Sequence, residues 1–93
     1  MIKDFANNTT IALFKGLYVR GIDKHLQEKA HQKLLLIHAA SNITDLRIPP
    51  SNRLKKLSGT RGHLHSIRIN NQWRIVFCWK DNDAYEVEFL DYH

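Results

Sequence analysis

Asp91-Tyr92-His93 sets a carboxylate, a phenol and an imidazole side by side near one end of the chain. Such groups can accept and release protons at positioned sites. A second set, Arg53, Lys55, Lys56, Arg61, Arg68 and Arg74, falls within a stretch from Leu46 to Lys80 that holds no Asp or Glu. Beyond Lys80 the only Asp, Glu, Lys or Arg residues are acidic: Asp81, Asp83, Glu86, Glu88 and Asp91. Surfaces normally intersperse the two signs, because crowded like charges repel unless a counter-charged partner offsets the cost. The segregation therefore points to a polyanion. The planar forks of Arg61, Arg68 and Arg74 suit phosphate oxygens, and Lys55 or Lys56 supplies a mobile point charge. Cations for a phosphate, a base for a neighbouring hydroxyl and an acid for a leaving oxygen are the parts of metal-free RNA cleavage, in which a 2′-hydroxyl attacks the adjacent phosphate.

Other chemistries find less support. The chain has no phosphate-cradling Gly-rich loop and no placed serine or cysteine nucleophile. His25, His31 and His38 are six and seven residues apart, whereas ligand pairs on a helix need spacings of three or four. No metal and no cofactor are expected. Cys78, the single cysteine, has no partner for an internal bridge, and the opening residues resemble neither a signal peptide nor a membrane span. This makes the cytoplasm the default location, with no membrane contact. The 93 residues, with nine aromatics and a formal charge of +5, suffice for one domain over residues 1–93 and lean towards nucleic acid as a partner.

The elements that must position these groups follow from the pattern. Ile2 to Phe5 alternates like a short edge strand. The Asn7-Asn8-Thr9-Thr10 cluster, with hydroxyls suited to capping, starts a short helix carrying Ile11, Leu13, Phe14, Leu17 and Tyr18 on one arc, weakened at Gly16 and stopped at Gly21. Asp23 caps a second helix from Lys24 to about Ala40, with Leu26, Ala30, Leu34, Leu36, Ile37 and Ala40 on its buried face. Pro49-Pro50 argues against helix and makes residues 42–52 an extended crossover loop. A strand is expected about Lys55-Lys56, with no register assigned. Then Ile67 and Ile69 share one face while Ser66 and Arg68 share the other, Asn70-Asn71 turns the chain, and Ile75, Phe77 and Trp79 return on the core side opposite Arg74, Val76 and Cys78. After a turn at Asp81-Asn82-Asp83, the alternation assigns Tyr85, Val87 and Phe89 to the core and Glu86, Glu88, Leu90 and Tyr92 to the other face. The expected fold class is α+β: a strand, two helices on one face, then an antiparallel meander. Its uncovered face presents Arg68, Arg74 and Tyr92 as a cradle for a single RNA strand.

With those residues placed, Pro49-Pro50, Asn52-Arg53-Leu54, Leu57, Gly59, Arg61, Ser66-Ile67-Arg68, Asn70, Gln72-Trp73-Arg74-Ile75, Phe77, Trp79 and Asp91-Tyr92-His93 together resemble the HigB branch of the RelE/ParE toxin superfamily, the plasmid-maintenance killer proteins. The resemblance runs the length of the chain. It implies a RelE-like fold, toxicity through metal-independent cleavage of messenger RNA in the A site of the 70S ribosome, and neutralisation by a HigA-type helix-turn-helix antitoxin, through which the complex binds operator DNA. Carried over residue by residue, it puts the phosphate-contacting and catalytic roles on Arg61, Arg74, Asp91, Tyr92 and His93. The chain departs from the pattern at Lys55, where some members carry histidine, leaving His93 as the histidine at a matching position. Two other functions remain compatible with the fold: a ParE-like poison that binds DNA gyrase without hydrolysis, and a non-catalytic RNA-binding module. The Asp-Tyr-His run favours the nuclease, since a binder needs no clustered proton-transfer groups.

Overall fold

Helix α1 (Asn8–Phe14) starts where the Asn7 side-chain carbonyl accepts the Thr10 N–H at 2.9 Å and the Thr10 hydroxyl at 2.7 Å. The cap is thus an amide oxygen, and the Thr10 hydroxyl serves a second purpose by accepting the Phe89 N–H at 3.0 Å. The computed structural model describes residues 1–57 and 64–91. Gly16, at φ +75°, ends the helix earlier than its apolar arc suggests: Leu17 N–H returns to Ala12 C=O at 2.9 Å and Gly16 N–H to Leu13 C=O at 3.1 Å. This paired closure needs a left-handed residue, which glycine adopts without strain. Leu17 and Tyr18 consequently lie beyond the helix and are exposed, not on its buried arc.

Helix α2 (Lys24–Ala39) begins as the pattern requires, with Asp23 Oδ2 accepting Leu26 N–H at 3.1 Å. Its buried residues are Gln27, Ala30, Leu34 and Ile37, while Leu36 is 38% exposed. Gln27 belongs inside because its amide is satisfied there: Oε1 accepts Val19 N–H at 2.8 Å, and Nε2 donates to Val19 C=O at 2.8 Å and Ile22 C=O at 2.7 Å. One side chain therefore fastens the α1–α2 connection to the helix.

The crossover is more regular than its prolines suggest. Ile43–Arg47 and Pro50–Asn52 form short 3₁₀ turns. The first is held by a reciprocal cap, in which Asn42 Oδ1 accepts Thr44 N–H at 3.0 Å and Asp45 Oδ2 accepts Asn42 N–H at 3.1 Å. In the second, Pro50 occupies the first position, where a missing N–H leaves no intrahelical bond unmade.

Strands β1 (Lys55–Lys56), β2 (Leu64–Arg68), β3 (Trp73–Lys80) and β4 (Asp83–Asp91) follow in sheet order β1-β2-β3-β4, all antiparallel. Asp81 and Asn82, both at positive φ, make the two-residue turn whose twist matches the flanking strands. The opening residues do not form a strand of their own. They pair with β4 through two parallel bridges, Ile2 to Ala84 and Phe5 to Val87. Leu13, Ala30, Leu34 and Ile37 from the helices pack with Ile67, Ile75, Phe77, Val87 and Phe89 in one core.

One correction concerns β4. Between Val76 and Cys78 the register shifts, and Glu86 takes φ +52°, so two residues of β4 pass one of β3. Such a bulge reverses the alternation beyond it. Ala84 is the fully buried residue, and Tyr85 pairs with Cys78 on the opposite face.

Candidate nucleic-acid site

The β2–β3 hairpin sets Arg68 directly across from Arg74, and both project from the face that the helices leave uncovered. Like charges in a cross-strand pair are destabilising, so the pairing is costly unless an anion sits between them. Arg74 is held through both its Nε and its Nη2. Its Nε donates to Ser66 Oγ at 2.9 Å and its Nη2 to the Arg53 carbonyl at 2.8 Å. Ser66 is fully buried beneath it, which fixes the plane of the guanidinium.

Arg53 reaches the same place from the crossover. It follows the Pro50–Asn52 turn in the left-handed region, at φ +44°, and this bend carries its carbonyl to Arg74. The neighbouring Asn52 anchors the bend from inside: it is fully buried, its Nδ2 donates to Leu46 C=O at 3.2 Å and Ile48 C=O at 3.3 Å, and its Oδ1 accepts from Lys33 Nζ. Replacing Asn52 by Ala leaves two carbonyls and an ammonium without their partner, so the variant is expected to lose about 2–3 kcal/mol, read as a lower urea midpoint.

Arg53, Arg68, Arg74, Asn70 and Asn71 line a cavity of about 340 Å³, with no carboxylate among these residues. The asparagines do more than turn the chain. Asn70 Oδ1 accepts the N–H groups of Gln72 and Trp73, each at 2.8 Å, while Arg68 donates from Nε to Asn70 C=O at 3.0 Å and from Nη2 to Asn71 Oδ1. Sequence reading singled out this pair only as a turn, although side-chain amides beside a basic hairpin are apt to orient guanidinium groups. Ser66 was likewise a position on a strand face, and its bond to Arg74 depends on a cross-strand register that the alternation alone does not specify.

The register separates the two adjacent lysines. Lys55 pairs with Ser66 and shares the arginine face, whereas Lys56 pairs with His65 on the helix side. The effect is visible at His65, whose ring stacks over Phe77 at 6.2 Å and whose buried Nδ1 has no hydrogen-bond partner. Burial first, and Lys56 second, push its pKa below the usual histidine value. In the unfolded chain the residue gains a proton below about pH 6.5. The folded chain resists that proton, so stability should fall as pH drops from there towards the depressed folded value. His65→Phe should remove this contribution, giving a shallower loss of thermal midpoint than wild type between neutral pH and pH 5.

Asp91 closes β4 opposite Trp73, and its Oδ2 accepts Gln72 Nε2 at 2.9 Å. The register assigns it to the side of Trp73, whose ring lies 4.6 Å from Phe89 in a near-parallel stack, while Arg74 pairs with Leu90 on the other side. Arg61, Tyr92 and His93 lie outside the described residues. Of the expected site residues, the structure thus gathers Arg53, Arg68 and Arg74 into one cavity, keeps Lys55 on the same face and places Lys56 and Asp91 on the other. Chemically, the cavity offers guanidinium groups with restrained orientation, suited to the non-bridging oxygens of a phosphodiester. Among the described residues no group of His, Cys, Asp and Glu has the arrangement to hold a metal ion, and no helix is long and apolar enough to cross a membrane.

Comparison with known proteins bears on the family and the fold. A family model described as the RelE-like toxin of the type II toxin-antitoxin system HigB matches residues 3–93. Toxin HigB-1 of Vibrio cholerae serotype O1 is 39% identical over 74 residues, covering 80% of this chain and 77% of that protein. Endoribonuclease HigB of Proteus vulgaris is 30% identical over 93 residues, the full length of both. Among solved structures, the YoeB-YefM complex from Staphylococcus aureus includes a chain that matches with a TM-score of 0.59 over 100% of this chain and 98% of its own, at 19% identity, a likeness of fold.

Proposed function

Because the chain belongs to the HigB-like family of RelE-like toxins from type II toxin-antitoxin systems, we propose that it is an endoribonuclease that cuts translated messenger RNA at the ribosomal A site. The observation that carries this reading is the cavity between Arg53, Arg68 and Arg74, built from guanidinium and amide groups and lined by no carboxylate among the described residues. A scissile phosphate seated there meets donors aimed at its equatorial oxygens, where negative charge accumulates as the 2′-oxygen attacks. The 2′-O–P bond forms, the P–O5′ bond breaks, a base takes the 2′-hydroxyl proton and an acid protonates the departing 5′-oxygen. The products are a 2′,3′-cyclic phosphate and a 5′-hydroxyl. Tyr92 and His93 supply the proton-transfer groups, Arg74 stabilises the phosphate charge, and Arg53, Lys55, Arg61 and Arg68 hold the strand; Lys56 and Asp91, on the other face of the sheet, are given no contact with this phosphate. A HigA-type antitoxin is the neutralising partner and connects the toxin to operator DNA.

Brief induced expression in bacteria, followed by mapping of transcript 5′ ends, tests the reading. Cuts confined to translated regions and in phase with codons support it. Growth arrest with DNA damage and no such cuts would replace it with gyrase poisoning. In a reconstituted reaction, cleavage should vanish when the nucleotide 5′ of the cut lacks its 2′-hydroxyl.

A further inference from the structure

The Asn70-Asn71 turn has a second side. There Lys29, Lys33, Ser51 and Arg68, with the turn itself, line another cavity of about 410 Å³, again with no carboxylate among the described residues of its wall. Arg68 and both asparagines belong to the two cavities at once. Lys29 and Lys33 are four residues apart on α2, a spacing at which like charges repel. Lys33 is half-buried, and its ammonium is bonded to the buried Asn52 amide, which is itself tied to two backbone carbonyls. The cation is therefore held in place, whereas an exposed lysine usually swings freely. Burial, and then Lys29, lower the Lys33 pKa. An anion in the cavity would relieve the mutual repulsion.

We infer that a single RNA strand seated in the arginine cavity continues over the Asn70-Asn71 turn into this second cavity, where Lys29 and Lys33 bind a neighbouring phosphate of the same strand. The inference rests on the proposed nuclease reading and extends it to the path of the substrate. Arg68, lining both cavities, links the two phosphates, and the turn between them sets the direction of the chain.

The test is binding of 2′-O-methyl oligoribonucleotides, which cannot be cleaved, in a long form of about nine nucleotides and a short dinucleotide form whose single bridging phosphate can fill the arginine cavity alone. Wild type, Lys29→Gln, Lys33→Gln, Lys33→Arg and Arg74→Ala are compared across a salt series, with circular dichroism confirming the fold. Each lost phosphate contact on a single strand should lower the salt slope by about 0.7. The expected result is that loss for each Lys→Gln variant on the long oligomer, no change on the short one, and retention of the slope by Lys33→Arg. Unchanged binding of the long oligomer by both glutamine variants, with Arg74→Ala still weakening both lengths, would overturn the path and leave the arginine site standing. Equal weakening on both lengths would also overturn it, since a general field effect needs no second contact. An effect on binding to vacant ribosomes but not to oligomers would assign the lysines to another RNA and defeat the inference. If Arg74→Ala also left every affinity unchanged, the arginine site itself would fall.

Discussion

Arg74→Ala is expected to slow message cleavage on programmed ribosomes by about a hundredfold or more, the usual consequence of removing one donor aimed at developing charge. Stability should change far less. The side chain is half-buried, and its loss leaves Ser66 Oγ and the Arg53 carbonyl without that donor, a cost of about 1–3 kcal/mol. Relief of the Arg68 repulsion offsets part of it. Arg74→Lys should recover the charge and little of the rate, because one ammonium on a flexible stem cannot hold the serine and the carbonyl while presenting a planar fork. Single-turnover cleavage by the purified variant, beside its urea midpoint, separates the two effects. A folded Arg74→Ala protein that cleaves like wild type would remove this residue from the chemistry.

Deleting residues 91–93 should be more severe, slowing cleavage by roughly 10²–10⁴-fold, the contribution usual for placed proton-transfer groups. The fold should survive. Ala84, Val87 and Phe89, the buried residues of β4, precede the cut, and the losses include the Asp91 pairing with Trp73 and its contact with Gln72. Ribosome affinity should persist, because the arginine cavity draws its cations from Arg53, Arg68 and Arg74. Individual changes then divide the labour. His93→Ala and Tyr92→Phe test the imidazole and the phenolic hydroxyl separately. Asp91→Asn asks whether a carboxylate on the Trp73 side takes part in the reaction or only secures the strand end. Undiminished cleavage by a folded deletion variant would move the chemistry onto the basic residues.

How much of this was legible without coordinates depended on how local the controlling interaction is. Helix α2 was readable because its Asp23 cap and apolar spacing are written within a few residues of each other. Arg68 and Arg74 were placed on the uncovered face because a hairpin with a short turn transmits alternation from one strand to the next. Tyr85 was misplaced because the bulge occurs at Glu86, a residue type that gives no warning of positive φ; a glycine would have. Leu17 and Tyr18 were assigned to a helix that the Gly16 closure had already ended. Gln27 and Asn52 were not recognised as interior residues, since their burial is compatible only with backbone groups brought to them by other segments. For the site, the split between Lys55 and Lys56 rests on the pairing of a two-residue strand with β2, which no periodicity in so short a segment can specify. The shared wall at Asn70-Asn71 required the packing of α2 against the sheet.

The two parallel bridges from the opening residues to β4 also bear on the order of folding. Asp4 accepts the Glu86 N–H across 82 positions, and Phe5 bridges to Val87. By contrast, Arg74 contacts Ser66 and Arg53 over separations of 8 and 21. When the free chain folds, the arginine hairpin can close early, because a short loop sacrifices little chain entropy. The opening segment must wait for nearly the whole of β4 before it finds its partner. Ile2 and Phe5 therefore lack their bridges to Ala84 and Val87 until that strand is in place. A chain cut short between Lys80 and Val87 and released would keep its basic hairpin while its sheet edge stayed unsealed, the species most exposed to misassociation.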